Sequence, residues 1–176
     1  MYVRINKIQQ APGVWISHET EEELESSDLR IEGAVSLKLK LTNAETRILA
    51  QGKVKARVLT ECSRCNEDIS LPLEVEIEEY FVPEDSPEAK VTGIDAFEIL
   101  TYKEDRIVLD EMLRQNLLAA IPMQLICLEG KCRGMCDQCG TNRNTGVCEC
   151  KKEEIDPRWA PLSDLQKRNS VKPSLN

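Results

Sequence analysis

The sequence predicts an α+β fold in which a mostly antiparallel β-sheet carries one packing helix and a C-terminal cysteine-rich, zinc-ribbon-like segment. Three observations predict it: successive runs of alternating apolar and polar residues, one apolar stripe at helical spacing, and eight cysteines in close pairs. A chain of 176 residues can bury a sizeable core without disulfides or metals. The cysteines therefore need an explanation of their own.

Apolar and polar residues alternate over residues 35–41, 53–58 and 71–78. This period of two is typical of half-buried strands, and the connections are too short for crossover helices, so we expect an antiparallel meander. Its outer face would carry basic residues on the first two strands and glutamates on the third. We interpret these as cross-strand ion pairs, with a basic stripe for RNA as the alternative.

Residues upstream of the meander give weaker signals. Residues 5–8 and 13–16 are candidate short strands, whereas residues 17–28 are acidic, contain no lysine or arginine and are interpreted as a solvated loop. A partner-binding element is the alternative for this stretch. His18 lies within it, and because the chain has one histidine, a histidine-based metal or catalytic site has no support.

The predicted helix lies near residues 109–121. Asp110 and Glu111 suit its first turn and Pro122 ends it. Asn116 falls within the apolar stripe, where we expect a buried amide bonded to the backbone; donation to a nearby thiolate is the alternative. The stripe consists of Leu109, Met112, Leu113, Leu117, Ala120 and Ile121.

The eight cysteines are arranged as Cys62-x2-Cys65, Cys127-x4-Cys132, Cys136-x2-Cys139 and Cys148-x-Cys150. Two short-spaced pairs commonly supply the four thiolates of a tetrahedral zinc site. Our preferred grouping places the last four cysteines in one local site. The first four would then form a second site that joins the sheet to the segment after the helix. Buried free thiols, or a redox pair at Cys62 and Cys65, are the alternatives.

Charge and composition restrict the function. The formal net charge of −8 argues against coating of nucleic acid through bulk positive charge. No apolar run is long enough to cross a bilayer and the start of the chain lacks a signal-peptide layout, so we expect a cytoplasmic protein that does not bind membranes. The absence of paired carboxylates, a nucleophile elbow and a glycine-rich phosphate loop predicts a protein that is not an enzyme and takes no small-molecule substrate.

The chain divides in three by composition. We expect a β-rich body with the packing helix over residues 1–126, the cysteine-rich segment over 127–156 and a C-terminal tail over 157–176, with a short last helix around Leu162. Residues 127–176 hold nine basic and seven acidic residues, which makes this end slightly basic.

Several of these motifs together resemble the YceD family, described as large ribosomal RNA subunit accumulation proteins. They are the sheet-borne Cys62-Ser63-Arg64-Cys65, the leucine-rich helix that leads into Pro122-Met123, and the pattern Cys127-x4-Cys132-Arg133-Gly134-Met135-Cys136-x2-Cys139-Gly140 with Cys148-x-Cys150. The resemblance implies a cytoplasmic, non-enzymatic protein needed for accumulation of 23S ribosomal RNA, and hence for large-subunit assembly.

We expect the partner to be ribosomal RNA or a large-subunit ribosomal protein, contacted by basic side chains. An aromatic content of 4% provides no stacking platform for single-stranded RNA. The alternative function is a redox-switched, chaperone-like zinc-thiolate protein whose C-terminal cysteines release metal on oxidation. The candidate contact residues are Lys131, Arg133, Arg143, Lys151 and Lys152 around the ribbon, and secondarily Lys53, Lys55 and Arg57 on the sheet.

Overall fold

The computed structural model describes residues 1–90, 99–127, 130–150, 158 and 162, and within them it contains eight strands and one α-helix. A 3-10 helix, Glu88–Lys90, follows the sixth strand. The strands are β1 (Tyr2–Arg4), β2 (Trp15–Glu22), β3 (Arg30–Ile31), β4 (Val35–Ala44), β5 (Arg47–Glu61), β6 (Asp68–Pro83), β7 (Leu100–Tyr102) and β8 (Arg106–Val108), and the helix is α1 (Asp110–Ala120).

The main sheet has the strand order β2-β4-β5-β6-β7, with β3 paired to β5 outside this path. All of its pairings are antiparallel except that of β6 with β7, and β1 and β8 form a separate antiparallel pair. The prediction of an α+β fold with a mostly antiparallel sheet and one packing helix is therefore confirmed. The predicted meander is the central part, β4-β5-β6.

The meander strands form because their apolar residues lie on one face. The register pairs Leu37 with Val54 and Val54 with Val75, so that these side chains lie in one row across three strands. Helix α1 contributes Met112, Leu113 and Leu117 to the same buried cluster. This cluster is the core that holds the sheet and the helix together.

Two upstream expectations were wrong. Residues 17–22, interpreted as a solvated loop, belong to β2, which pairs with β4 along its whole length. Main-chain pairing stabilises this edge strand even though its acidic side chains stay in solvent. Residues 5–8, a candidate strand, form a turn in which the Ile8 N–H donates to the Ile5 carbonyl at 2.9 Å, and both side chains are fully buried.

The predicted bond from the Asn116 amide to the backbone is confirmed, although the residue is half-buried rather than buried. Its Nδ2 donates to the Met112 carbonyl at 3.0 Å and to Glu79 Oε1 at 3.0 Å. These two bonds use both donor hydrogens of the amide. Asn116 therefore ties α1 to β6, and both acceptors are oxygen atoms.

Gly52 marks a close approach of β4 and β5. A Cβ at this position would lie 1.9 Å from the Lys38 carbonyl oxygen, so no side chain fits unless the backbone of β4 moves. We expect Gly52→Ala to lower the free energy of unfolding by about 2 kcal/mol or more. Urea unfolding measures this, with Gln51→Ala, at the exposed neighbouring position, as the control; equal midpoints for the two variants would contradict the packing.

The chain separates into two compact units, Met1–Cys132 and Arg133–Asn176. Cys127 and Cys132 therefore belong to the same unit as the sheet, whereas the division expected after residue 126 stays a prediction. Most of the expected tail, with its short last helix, lies outside the described residues. In the part of the chain that the structure describes, no helix combines the length and apolar character needed to cross a membrane.

Candidate metal centres

The eight cysteines form two groups of four, and within each group all sulfur atoms lie within 4.8 Å of one another. We call Cys62, Cys65, Cys127 and Cys132 the body site, and Cys136, Cys139, Cys148 and Cys150 the distal site. This is the grouping predicted from the spacing. All eight are free thiols, so each group could hold a metal ion.

The body site begins at the turn between β5 and β6. The Cys62 N–H donates to the Glu67 carbonyl at 2.9 Å, and the Asn66 N–H donates to the Cys62 carbonyl at 2.9 Å. Asn66 adopts a positive φ of 56°, which lets the chain reverse tightly. The turn thereby directs Cys62 and Cys65 to the same point in space.

The other two ligands come from the segment after α1, which is bound to this turn through its backbone. The Ser63 N–H donates to the Leu125 carbonyl at 2.8 Å, and the Leu125 N–H donates to Ser63 Oγ at 3.2 Å. Arg64 Nη1 donates to the Cys132 carbonyl at 3.1 Å. Sequence reasoning missed Ser63 and Arg64, although their place between two predicted ligands was a signal for such a role.

The sulfur spacing of the body site suits a tetrahedral ion. The Sγ atoms of Cys62 and Cys132 are 3.8 Å apart, and those of Cys65 and Cys127 are 3.5 Å apart. Metal–sulfur bonds of about 2.3 Å in tetrahedral geometry place sulfurs about 3.8 Å apart. A disulfide would bring a pair to about 2.05 Å. The observed distances are close to that spacing and far beyond a disulfide, so the four thiols could hold one ion.

Hydrogen bonds prepare Cys62 to act as a thiolate. The N–H groups of Cys127, at 3.3 Å, and Arg64, at 3.4 Å, donate to its sulfur. The bond from Cys127 is the main cause that lowers the pKa of the Cys62 thiol to about 6. Burial instead raises the pKa of the Cys127 thiol. A buried group of thiolates is costly unless a cation neutralises it, which is what a bound metal would do.

The distal site is built from a shorter loop and is more open. The Cys136 N–H donates to the Thr141 carbonyl at 2.9 Å, and the Gly140 N–H, at a φ of 69°, donates to the Cys136 carbonyl at 2.9 Å. The Sγ atom of Cys148 is 3.3 Å from that of Cys136 and 3.6 Å from that of Cys139. Cys136 is buried, whereas Cys139 and Cys150 are exposed.

Arg143 lies against the distal site. Its Nη2 is 3.1 Å from Asp137 Oδ1, and a hydrogen bond to the Cys136 sulfur raises the pKa of Arg143. The N–H of Cys139, first, and the N–H of Gln138 lower the pKa of the Cys136 thiol to about 6. The guanidinium therefore offsets part of the negative charge of the thiolates.

Two basic residues of the sheet, Lys53 and Lys55, form the predicted cross-strand ion pairs. Lys53 Nζ is 2.9 Å from Glu76 and Lys55 Nζ is 3.0 Å from Glu74. The hydrogen bond to Glu76 raises the pKa of Lys53, and that from Lys55 lowers the pKa of Glu74. Arg57 lies opposite Pro72, and no described carboxylate is within ion-pair distance of it.

The remaining predicted contact residues fall in different parts of the chain. Lys131 and the side chain of Arg133 are exposed, and the Arg133 N–H donates to Asn144 Oδ1 at 2.8 Å. Lys151 and Lys152 lie outside the described residues. Within the second unit, Arg133 and Arg143 line an open groove beside Cys148.

Comparison with known proteins adds a family. The model of the family described as "Large ribosomal RNA subunit accumulation protein YceD" matches residues 50–166, which include all eight cysteines. No solved structure is significantly similar to the chain.

Three relatives illustrate the match. The chain is 26% identical over 143 residues to the uncharacterized protein YlbN of Bacillus subtilis, covering 81% of this chain and 77% of the relative. It is 28% identical over 131 residues to an uncharacterized protein of Mycobacterium tuberculosis, covering 74% and 61% of the two chains. It is 33% identical over 69 residues to the Arabidopsis thaliana "Large ribosomal RNA subunit accumulation protein YCED homolog 1, chloroplastic", and the match covers 39% of this chain and 21% of the relative. Because the family model matches well over half of the 176 residues, the chain belongs to the YceD family of large ribosomal RNA subunit accumulation proteins.

Proposed function

We propose that the chain is a cytoplasmic, non-enzymatic factor that supports accumulation of 23S ribosomal RNA and assembly of the large ribosomal subunit, with one structural Zn²⁺ in each cysteine site. The observation that carries this proposal is the family match, which spans both sites, most of β5 and all of β6. The Arabidopsis relative carries the same description in its name.

The donor sets support zinc as the metal. Both sites consist of four thiolates, and soft sulfur ligands in a tetrahedral arrangement favour zinc over magnesium, calcium or manganese. Bound zinc would link the chain segments that carry its ligands, with all four coordination positions filled by sulfur. In the body site this link would hold the turn after β5 to the segment after α1.

The same donor sets support a binding protein. Catalytic zinc usually keeps one coordination position open for water or substrate, whereas four thiolates fill a tetrahedral shell. The lone histidine, His18, lies on β2, far along the chain from either cysteine site. A metal ion in either cysteine site would therefore hold the loops in place and would have no open position for hydrolysis.

We assign contact with ribosomal RNA, or with a large-subunit ribosomal protein, to the basic side chains near the cysteine sites. Lys131 and Arg133 are exposed, so their side chains can meet phosphate oxygens, and Lys151 and Lys152 are assigned the same role from the sequence alone. Arg143 combines such a contact with its bond to Cys136. Lys53 and Lys55 are weaker candidates because their ion pairs would have to open, and Arg57 has no such competitor among the described residues.

The function is tested by depleting the protein from cells and measuring the ratio of 23S to 16S ribosomal RNA. We expect the ratio to fall and to be restored by the wild-type chain. Rescue by Arg133→Glu, Lys151→Glu, Lys152→Glu should be weaker than rescue by the charge-matched control Lys7→Glu, Lys90→Glu, Lys103→Glu. An unchanged ratio after depletion would contradict the proposed function, and equal rescue by both triple variants would contradict the contact residues.

The exposure of Cys139 and Cys150 favours a second candidate, the redox-switched chaperone-like protein. Exposed thiolates are oxidised more readily than buried ones. Under this alternative, mild peroxide releases zinc from the distal site and switches on protection of an unfolding client protein. Under our proposal, peroxide-treated protein protects no client.

A further inference from the structure

The outer edge of the main sheet has no part in the proposed function. β2 stands at the end of the strand order and, among the described strands, pairs with β4 alone. It is eight residues long, whereas β7 at the opposite edge has three. The sequence of β2, Trp15–Glu22, contains none of the lysine and proline residues that commonly protect sheet edges from further pairing.

Within the part of the chain that the structure describes, the main chain of this edge is open. In an antiparallel pair, alternate residues direct both N–H and C=O at the neighbouring strand. The Asn43 N–H donates to the Val14 carbonyl at 2.9 Å, which fixes the alternation, so the even-numbered residues of β2 face β4. The odd-numbered residues direct their N–H and C=O groups away from the sheet, and no described backbone group bonds to them. They are Trp15, Ser17, Glu19 and Glu21.

The side chains around the edge are acidic. Glu19 is 3.2 Å from Lys38, and Lys40 Nζ lies 5.0 Å from the ring centre of Trp15, which is 57% exposed. Residues 17–29 contain no lysine or arginine. Further glutamates with no described cation within ion-pair distance are Glu21, Glu22, Glu23 and Glu25.

We propose that β2 is a docking edge for an extended, lysine- and arginine-rich segment of a protein partner, which adds to the sheet as a further strand. The segment's main chain would bond to the outward groups of Ser17, Glu19 and Glu21, and its basic side chains would meet the glutamates. A second copy of this edge is excluded by like charge, and an RNA strand would bring its phosphates against carboxylates. The inference goes beyond the proposed function, because it needs only the unpaired main chain of this edge and its negative charge.

The test uses a labelled eight-residue peptide of alternating lysine and valine, as long as β2. Fluorescence anisotropy measures its binding to the full chain. A peptide of the same sequence, N-methylated at every residue, keeps the charge but loses the main-chain donors of both edges, and we expect it to bind at least about tenfold more weakly. Equal binding of the two peptides would show attraction by charge alone and would overturn the proposal.

Variants locate the site. Ser17→Pro removes an N–H group that points away from the sheet and leaves the hydrogen bonds between β2 and β4 in place. It should therefore weaken peptide binding at least about tenfold, whereas the control Ser17→Ala should bind like wild type. Glu21→Lys with Glu23→Lys, which leaves the main chain intact, should weaken binding similarly even if the proline variant folds poorly. If the double-lysine variant bound the peptide as tightly as wild type, the proposal would be overturned. It would also be overturned if wild type bound a single-stranded oligoribonucleotide and Ser17→Pro abolished that binding. Failure here leaves the 23S to 16S ratio as a separate test of the proposed function.

Discussion

Replacing Cys62 and Cys65 by serine is expected to lower the zinc content from two ions per chain to one and to release the segment after α1 from the sheet. The effect should be large, because apparent binding free energies of structural zinc in small peptides are roughly 10–16 kcal/mol at neutral pH. In this variant the hydrogen bonds of Ser63 with Leu125 and of the Arg64 side chain with the Cys132 carbonyl would remain, and we expect them to be too weak to hold the segment without the metal. Native mass spectrometry measures the zinc count, and limited proteolysis measures release of the segment.

Cys148→Ser with Cys150→Ser is the matched control. These cysteines belong to the distal site, so this variant should also lose one zinc ion but keep the proteolysis pattern of residues 1–132. Two zinc ions in the Cys62→Ser, Cys65→Ser variant, or the same protection of residues 125–132 as in wild type, would contradict the body site.

Leu117→Ala is expected to lower the free energy of unfolding by about 2–5 kcal/mol. Leu117 is fully buried in the cluster that α1 shares with the sheet, so the truncated side chain leaves a cavity. The next residue, Leu118, is 44% exposed and provides the same substitution on the same helix. Leu118→Ala should change the free energy by less than about 1 kcal/mol.

Urea unfolding of the zinc-loaded protein measures both variants. A larger loss for Leu118→Ala than for Leu117→Ala would mean that α1 presents a different face to the sheet. Equal and small losses would mean that the helix does not close the core.

The central strands could be predicted because one side of each faces the core. Apolar and polar residues alternate at 35–41 because every second side chain is buried, and the structure extends the strand to Ala44. The start of β2 was a candidate strand, but its residues 17–22 were missed because this edge leaves many polar side chains in solvent, where pairing with β4 through the main chain determines the conformation. The three-residue β7 offers too short a pattern to recognise.

The cysteine grouping could also be predicted, because ligand spacing is a local property of the chain. The way residues 125–132 reach the turn after β5 could not. It depends on Ser63 meeting Leu125, which is 62 positions away, through backbone groups that every residue type carries. The basic residues show the same limit: the charge of Arg143 and its place in the ribbon made it a candidate contact residue, whereas its hydrogen bond to the Cys136 sulfur depends on the folded loop.

The central claim is that metal binding at the body site is needed for accumulation of 23S ribosomal RNA. It is tested most directly by the 23S to 16S ribosomal RNA ratio in depleted cells that express the Cys62→Ser, Cys65→Ser chain. Leu118→Ala, expressed to the same level, is the control for substitution itself. We predict that the control restores the ratio and the cysteine variant does not. Full restoration by the cysteine variant would contradict the account.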